Sequence, residues 1–132
     1  MAALLTRDCN QMPTVLVVED EANIRGFVAA NLKARGYAVL QASNAEDGLQ
    51  QLRDYGAEAL ILDIRLPGMS GWDMLKQIAA DPRLPDIPVI ILTASALSTQ
   101  PSEVVYPNVA AILIKPIGVT ELMLAVKEIF GQ

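Results

Sequence analysis

Apolar and polar positions along the chain follow two rhythms. Short, nearly unbroken apolar runs occur at Thr14–Val18 (TVLVV), Ala38–Ala42 (AVLQA), Ala59–Leu62 (ALIL), Pro88–Leu92 (PVIIL) and Val109–Ile114 (VAAILI), and each reads as a strand. Between them, apolar residues recur at helical spacing. Ile24, Phe27, Val28 and Leu32 form one such stripe, ended by Gly36. Ala45, Leu49 and Leu52 form a second, with Asn44 placed to cap it. Leu75, Ile78 and Ala79 form a third, stopped near Asp81 and Pro82, and Val119, Leu122, Val126 and Ile129 mark the last. This alternation predicts a parallel sheet with helices on both faces. Right-handed crossovers make it a doubly wound α/β fold, with strand order 2-1-3-4-5.

One connection breaks the pattern. In SALSTQPSEVVYPNVA, Pro101 and Pro107 leave room only for a weak fourth helix, about Ser102 to Tyr106, within a frayed segment. Residues 1–13 read as a flexible N-terminal extension and 14–132 as a single domain. No repeat, low-complexity tract or linker interrupts it.

Composition narrows the chemistry. Of 132 residues, 52% are hydrophobic and only 19% charged, which excludes a disordered chain. The net charge of −5 argues against a nucleic-acid partner. With no histidine and one cysteine (Cys9), there is no histidine acid–base relay, no Cys/His zinc site, no internal disulfide and no phosphohistidine on this chain. The longest uncharged stretch, Ile87 to Ser102, holds two prolines and is too short for a membrane span. No basic residue precedes the apolar patch of the N-terminal MAALLTRDCNQMP, unlike a secretory signal. A soluble, cytoplasmic protein is expected. Asp, Glu, Lys, Ser and Thr remain to do the chemistry.

In a doubly wound sheet, ligands bind outside the carboxyl ends of the strands. Strand one ends in Glu19 and Asp20, strand three in Asp63, strand four in Thr93, and strand five in Lys115 and Pro116. Strands one and three are neighbours in the expected order, so three carboxylates converge beside a hydroxyl and an ammonium. Like charges about 4 Å apart repel by about 4 kcal/mol at an effective dielectric near 20, and Lys115 balances only one of them. Hard carboxylate ligands without His or Cys suit Mg²⁺. An aspartate can also attack phosphorus to form an acyl phosphate, whose oxygens need a cation and hydrogen-bond donors. Lys115, the Thr93 hydroxyl and the Ala94 N–H are placed to supply these.

The motifs VVED (17–20), LILDIRLPGMSG (60–71), ILTAS (91–95) and ILIKP (112–116) closely resemble the receiver domain of two-component response regulators. The resemblance covers residues 14 to 130 and implies a flavodoxin-like fold. It implies that Asp63 accepts a phosphoryl group from a sensor histidine kinase or a histidine phosphotransfer protein. It further implies that Glu19, Asp20, Asp63 and the backbone carbonyl of Arg65 hold Mg²⁺, that Thr93 and Lys115 contact the phosphoryl oxygens, and that the Lys115–Pro116 bond is cis. Phosphorylation would shift the segment 94–115 and the last-helix surface, toward a downstream protein target, in a bacterial signalling pathway. A stand-alone receiver is expected, its output a protein–protein contact.

Taken singly, each residue has a blander reading. Glu19 and Asp20 could form a helix N-cap, Asp63 a turn residue, Pro67 and Gly71 an ordinary loop, Thr93 a cap and Lys115–Pro116 turn punctuation. Their joint position at C-terminal strand ends favours the functional reading. Trp72 and Met69 read as packing around the loop. Glycine-rich phosphate loops are missing, so nucleotide binding has no support.

The chain departs from the family three residues before Lys115, where receivers usually carry Tyr or Phe and this sequence has Ile112. That departure lends weight to one rival, a pseudo-receiver scaffold that binds partners without phosphorylation. A second rival, a phosphatase of the haloacid dehalogenase type, would need an Asp where Arg65 stands. Leu124, with Ile112, Val104, Val105 and Tyr106, suggests an apolar face between the fourth and fifth helices, fit for a partner or for homodimerisation.

Overall fold

The computed structural model describes residues 12–94 and 106–131. Five strands, β1 (Thr14–Val18), β2 (Ala38–Ala42), β3 (Ala59–Asp63), β4 (Val89–Thr93) and β5 (Val109–Ile114), form one sheet in the order β2-β1-β3-β4-β5. All four pairings are parallel. The described helices are α1 (Ala22–Ala34), α2 (Ala45–Asp54), α3 (Gly71–Ala80) and α4 (Val119–Phe130). The doubly wound order and the strand positions agree with the sequence pattern; β3 and β4 each run one residue further, to Asp63 and Thr93. The connection carrying the expected weak helix, with Ser95, Val104 and Val105, lies outside the described residues, as does the extension up to residue 11.

The sheet separates two apolar layers. On one face, Leu16, Val18, Leu60, Leu62 and Ile91 pack against Leu49 and Leu52 of α2 and Met74, Leu75 and Ile78 of α3. On the other, Val15, Val17, Ile61, Ile90 and Leu92 pack against Val28 and Leu32 of α1 and Leu122, Ala125 and Val126 of α4. The central strands β3 and β4 are buried along their whole length, because a parallel sheet covered by helices has no solvent face. β5, at the edge, alternates between half-buried and exposed.

Three expectations about single side chains change. Phe27 lies at the rim of the α1 stripe and is 38% exposed, while Ala29 takes the buried place. In α3 the inward residue is Met74, and Ala79 faces solvent. Tyr106, expected in an exposed apolar face, is half-buried and stacked on Trp72 with ring centroids 6.0 Å apart. Trp72 and Met69 do pack against the core, as expected.

Local capping follows the sequence. The Asn44 side chain accepts the Asp47 N–H at the start of α2, and Ser70 and Asp73 form a reciprocal capping box at the start of α3.

Candidate functional site

The carboxyl ends of β1, β3, β4 and β5 bring the expected residues to one edge of the sheet. Val18 pairs with Leu62, Asp63 with Leu92, and Thr93 with Ile114, so one residue of overshoot from each strand reaches a common crevice. Glu19 is fully buried, Asp63 is 3% exposed and Thr93 2%. Asp20 and Ala94 face solvent.

One ligand atom from each of Glu19, Asp20 and Asp63 lies within 4.8 Å of the others. Lys115 reaches across from β5: its Nζ stands 2.9 Å from Glu19 Oε1, 3.3 Å from Asp63 Oδ2 and 3.8 Å from Glu21 Oε1. The other Asp63 oxygen, Oδ1, accepts the Arg65 N–H at 3.1 Å. The Lys115 N–H donates to the Thr93 carbonyl at 2.8 Å, and the Lys115–Pro116 bond is cis.

Glu19 is the strained member of the group. Its Oε2 accepts the Glu21 N–H at 3.2 Å. Among the described residues its Oε1 has the ion pair with Lys115 and no partner that meets hydrogen-bond geometry. Burial pushes the Glu19 carboxyl up to about 7, against the pull of Lys115 and the Glu21 N–H, with the Asp63 charge adding to the rise. Burial also opposes the charge on Lys115, but the Glu19 and Asp63 carboxylates outweigh it and hold the ammonium above the ordinary lysine value. Three carboxylates with ligand atoms within 4.8 Å of one another, sharing one close ammonium, suit a divalent cation of the Mg²⁺ or Ca²⁺ type.

The capping alternative does not hold for the acidic pair. The N-cap of α1 is Glu21, and its side chain makes no capping bond. Asp20 has no hydrogen bond or ion pair among the described residues.

Two features of the site were missed by the sequence reading. The motif LILDIRLPGMSG includes Gly71 without giving it a role, and in the structure Gly71 opens α3 directly against the end of β3. A Cβ there would stand 2.6 Å from the Asp63 carbonyl and 2.9 Å from Ile64 Cα, while its N–H donates to the Ile64 carbonyl at 2.9 Å. Arg25, one turn into α1, donates from Nη1 to the Glu19 carbonyl at 2.8 Å. The glycine of a loop ending in a helix start was a usable signal for the first. No spacing rule would have found the second.

The response regulator receiver domain model matches residues 15–127. The chain belongs to the response regulator receiver family. Among curated relatives, this receiver is 31% identical over 119 residues to the phosphate regulon transcriptional regulatory protein PhoB of Pseudomonas aeruginosa, covering 90% of this chain and 52% of that protein. It is 30% identical over 120 residues to the polar-differentiation response regulator DivK of Brucella anthropi, covering 90% of this chain and 97% of that one. For the first of the curated relatives it matches, the receiver spans about a third to a half of their length. Among solved structures, a response regulator from Chloroflexus aurantiacus superposes with a TM-score of 0.78 at 29% identity, over 92% of this chain and all of that one. The chemotaxis response regulator CheY4 of Vibrio cholerae, at 23% identity, TM-score 0.78 and coverage of 90% and 99%, shares the fold. Among the described residues, no helix of the receiver is long and apolar enough to cross a membrane.

Proposed function

We propose that this receiver is a phosphoacceptor in a two-component phosphorelay, taking a phosphoryl group on Asp63. The observation that carries the reading is the buried Asp63 carboxylate set between two further acids and the Lys115 ammonium. An Asp63 oxygen attacks phosphorus as the N–P bond of a donor phosphohistidine breaks and its electron pair returns to the imidazole; the product is an acyl phosphate. Lys115 turns from Asp63 to a phosphoryl oxygen. The Thr93 hydroxyl and the Ala94 N–H donate to the others. Glu19, Asp20, Asp63 and the Arg65 carbonyl would hold Mg²⁺, which neutralises charge on the transferred group when bound.

The donor is a sensor histidine kinase or a histidine phosphotransfer protein in the cytoplasm, and the output is contact with a downstream protein through a shift of residues 94–115 and of α4. Ile112 and Leu124, 53% and 59% exposed, support an apolar surface there for a partner or a homodimer. Water attack on the acyl phosphate resets the receiver. No nucleic-acid or membrane contact is part of this reading.

Intact-mass measurement after incubation with acetyl phosphate, with and without Mg²⁺, tests it. A single phosphoryl adduct is expected that needs Mg²⁺ and vanishes in Asp63→Asn. The exposed Ile112, standing where receivers carry an aromatic, favours a second reading, the pseudo-receiver scaffold. That reading gains if no adduct forms and beryllofluoride fails to bind.

A further inference from the structure

We infer that Arg25 is a positioning residue for the divalent-cation site, acting through the peptide between Glu19 and Asp20. The inference rests on the reading of Glu19, Asp20 and Asp63 as that site. Only Glu19, Asp20 and Glu21 separate β1 from α1, and among the described residues the Asp20 side chain makes no hydrogen bond. Its direction is therefore set by its backbone. On the amino side, the Glu19 N–H donates to the Ala42 carbonyl at 3.0 Å, the last rung toward β2. On the carboxyl side, the Glu19 carbonyl belongs to the planar peptide that joins Glu19 to Asp20, and Arg25 Nη1 donates to it at 2.8 Å. Holding that oxygen fixes the plane, and with it the angle at which Asp20 leaves the buried Glu19.

Arg25 is itself anchored by the fold. Its N–H closes the first turn of α1 onto the Glu21 carbonyl at 2.9 Å, so its side chain folds back over the loop from a fixed helical position. The start of α1 has no side-chain cap and no acidic residue in its first turn, and the side chain found on the Glu19 carbonyl among the described residues is that of Arg25. Partners that orient metal ligands in this way typically contribute about 10- to 100-fold in affinity.

A positioning role and a purely electrostatic one predict opposite signs. Loss of a nearby positive charge alone would tighten Mg²⁺ binding; loss of the brace weakens it. Isothermal titration calorimetry with Mg²⁺ on the unphosphorylated protein is expected to show binding by Arg25→Gln at least about tenfold weaker than wild type. In acetyl phosphate loading, the Mg²⁺ concentration for half-maximal rate should rise by more than the maximal rate falls. A merely structural lesion would lower the maximal rate and leave that midpoint in place. Arg25→Lys keeps the charge but lacks the planar fork; it should recover only part of the affinity, and it carries the test if Arg25→Gln does not fold. Mg²⁺ binding by Arg25→Gln as tight as wild type, or tighter, overturns the inference while leaving the phosphoacceptor reading intact. Wild-type protein that neither binds Mg²⁺ nor takes a phosphoryl group overturns both.

Discussion

Gly71 shows how closely the end of β3 is packed. With no Cβ, it lets α3 begin within 2.6 Å of the Asp63 carbonyl, measured to where a Cβ would stand. The obstacle is backbone, which cannot swing aside. Gly71→Ala is therefore expected to destabilise the fold by about 1–3 kcal/mol, read as a lower urea midpoint with an unchanged slope. It should also slow phosphoryl loading, because the displaced segment is the one that carries Asp63. Asp63, Thr93, Lys115, Glu19 and Asp20 were all legible in the sequence, since each sits at a strand end and the strand order alone brings those ends together. Arg25 and Glu21 were not. Their contacts with Glu19 and Lys115 depend on the angle at which α1 leaves β1, which no periodicity encodes.

Helix ends carry the next level of specification. The Asn44 cap of α2 is visible in sequence and present in the structure; Asn44→Ala should cost about 1 kcal/mol in urea unfolding. The far end of α3 depends on Asp81. Its carboxylate accepts from Arg83 Nε and Nη2, both at 3.0 Å, and from Arg53 Nε at 3.4 Å. Those bonds, from Arg83 first, hold Asp81 well below the usual carboxylate range. A depressed folded value means that its contribution is fully present above the ordinary value of 3.8 and is lost as pH falls below it toward the folded value. Asp81→Asn should therefore be less stable than wild type at pH 7, with the gap closing below about pH 4; urea midpoints across that range check it. Arg53 lies on α2, so this link between helix ends was not legible along the chain. Phe27 and Ala79 show the same limit: helical spacing marks a stripe, but the width of the neighbouring element decides which edge of the stripe is covered.

For the whole molecule, the sheet supplies the frame that sets Glu19, Asp20 and Asp63 together at one edge. On the proposed cation site, Mg²⁺ should raise the Tm of the chelator-treated protein by binding the folded form. At a hundredfold excess over Kd the gain is about 2.7 kcal/mol, and scanning calorimetry should find it lost in Asp20→Asn, whose exposed carboxylate makes no other bond among the described residues. What the sequence determined by itself was the class of fold, the strand order and the set of chemically competent side chains. Continuous apolar runs between amphipathic stretches admit few other packings, and no histidine or free choice of cysteine competed for the chemistry. The tertiary structure decided which face of each helix is closed, which backbone groups brace the acids, and how a single ammonium is divided among three carboxylates. Those matters turn on distances of a few ångströms between elements remote in sequence, and such distances exist only once the sheet has assembled.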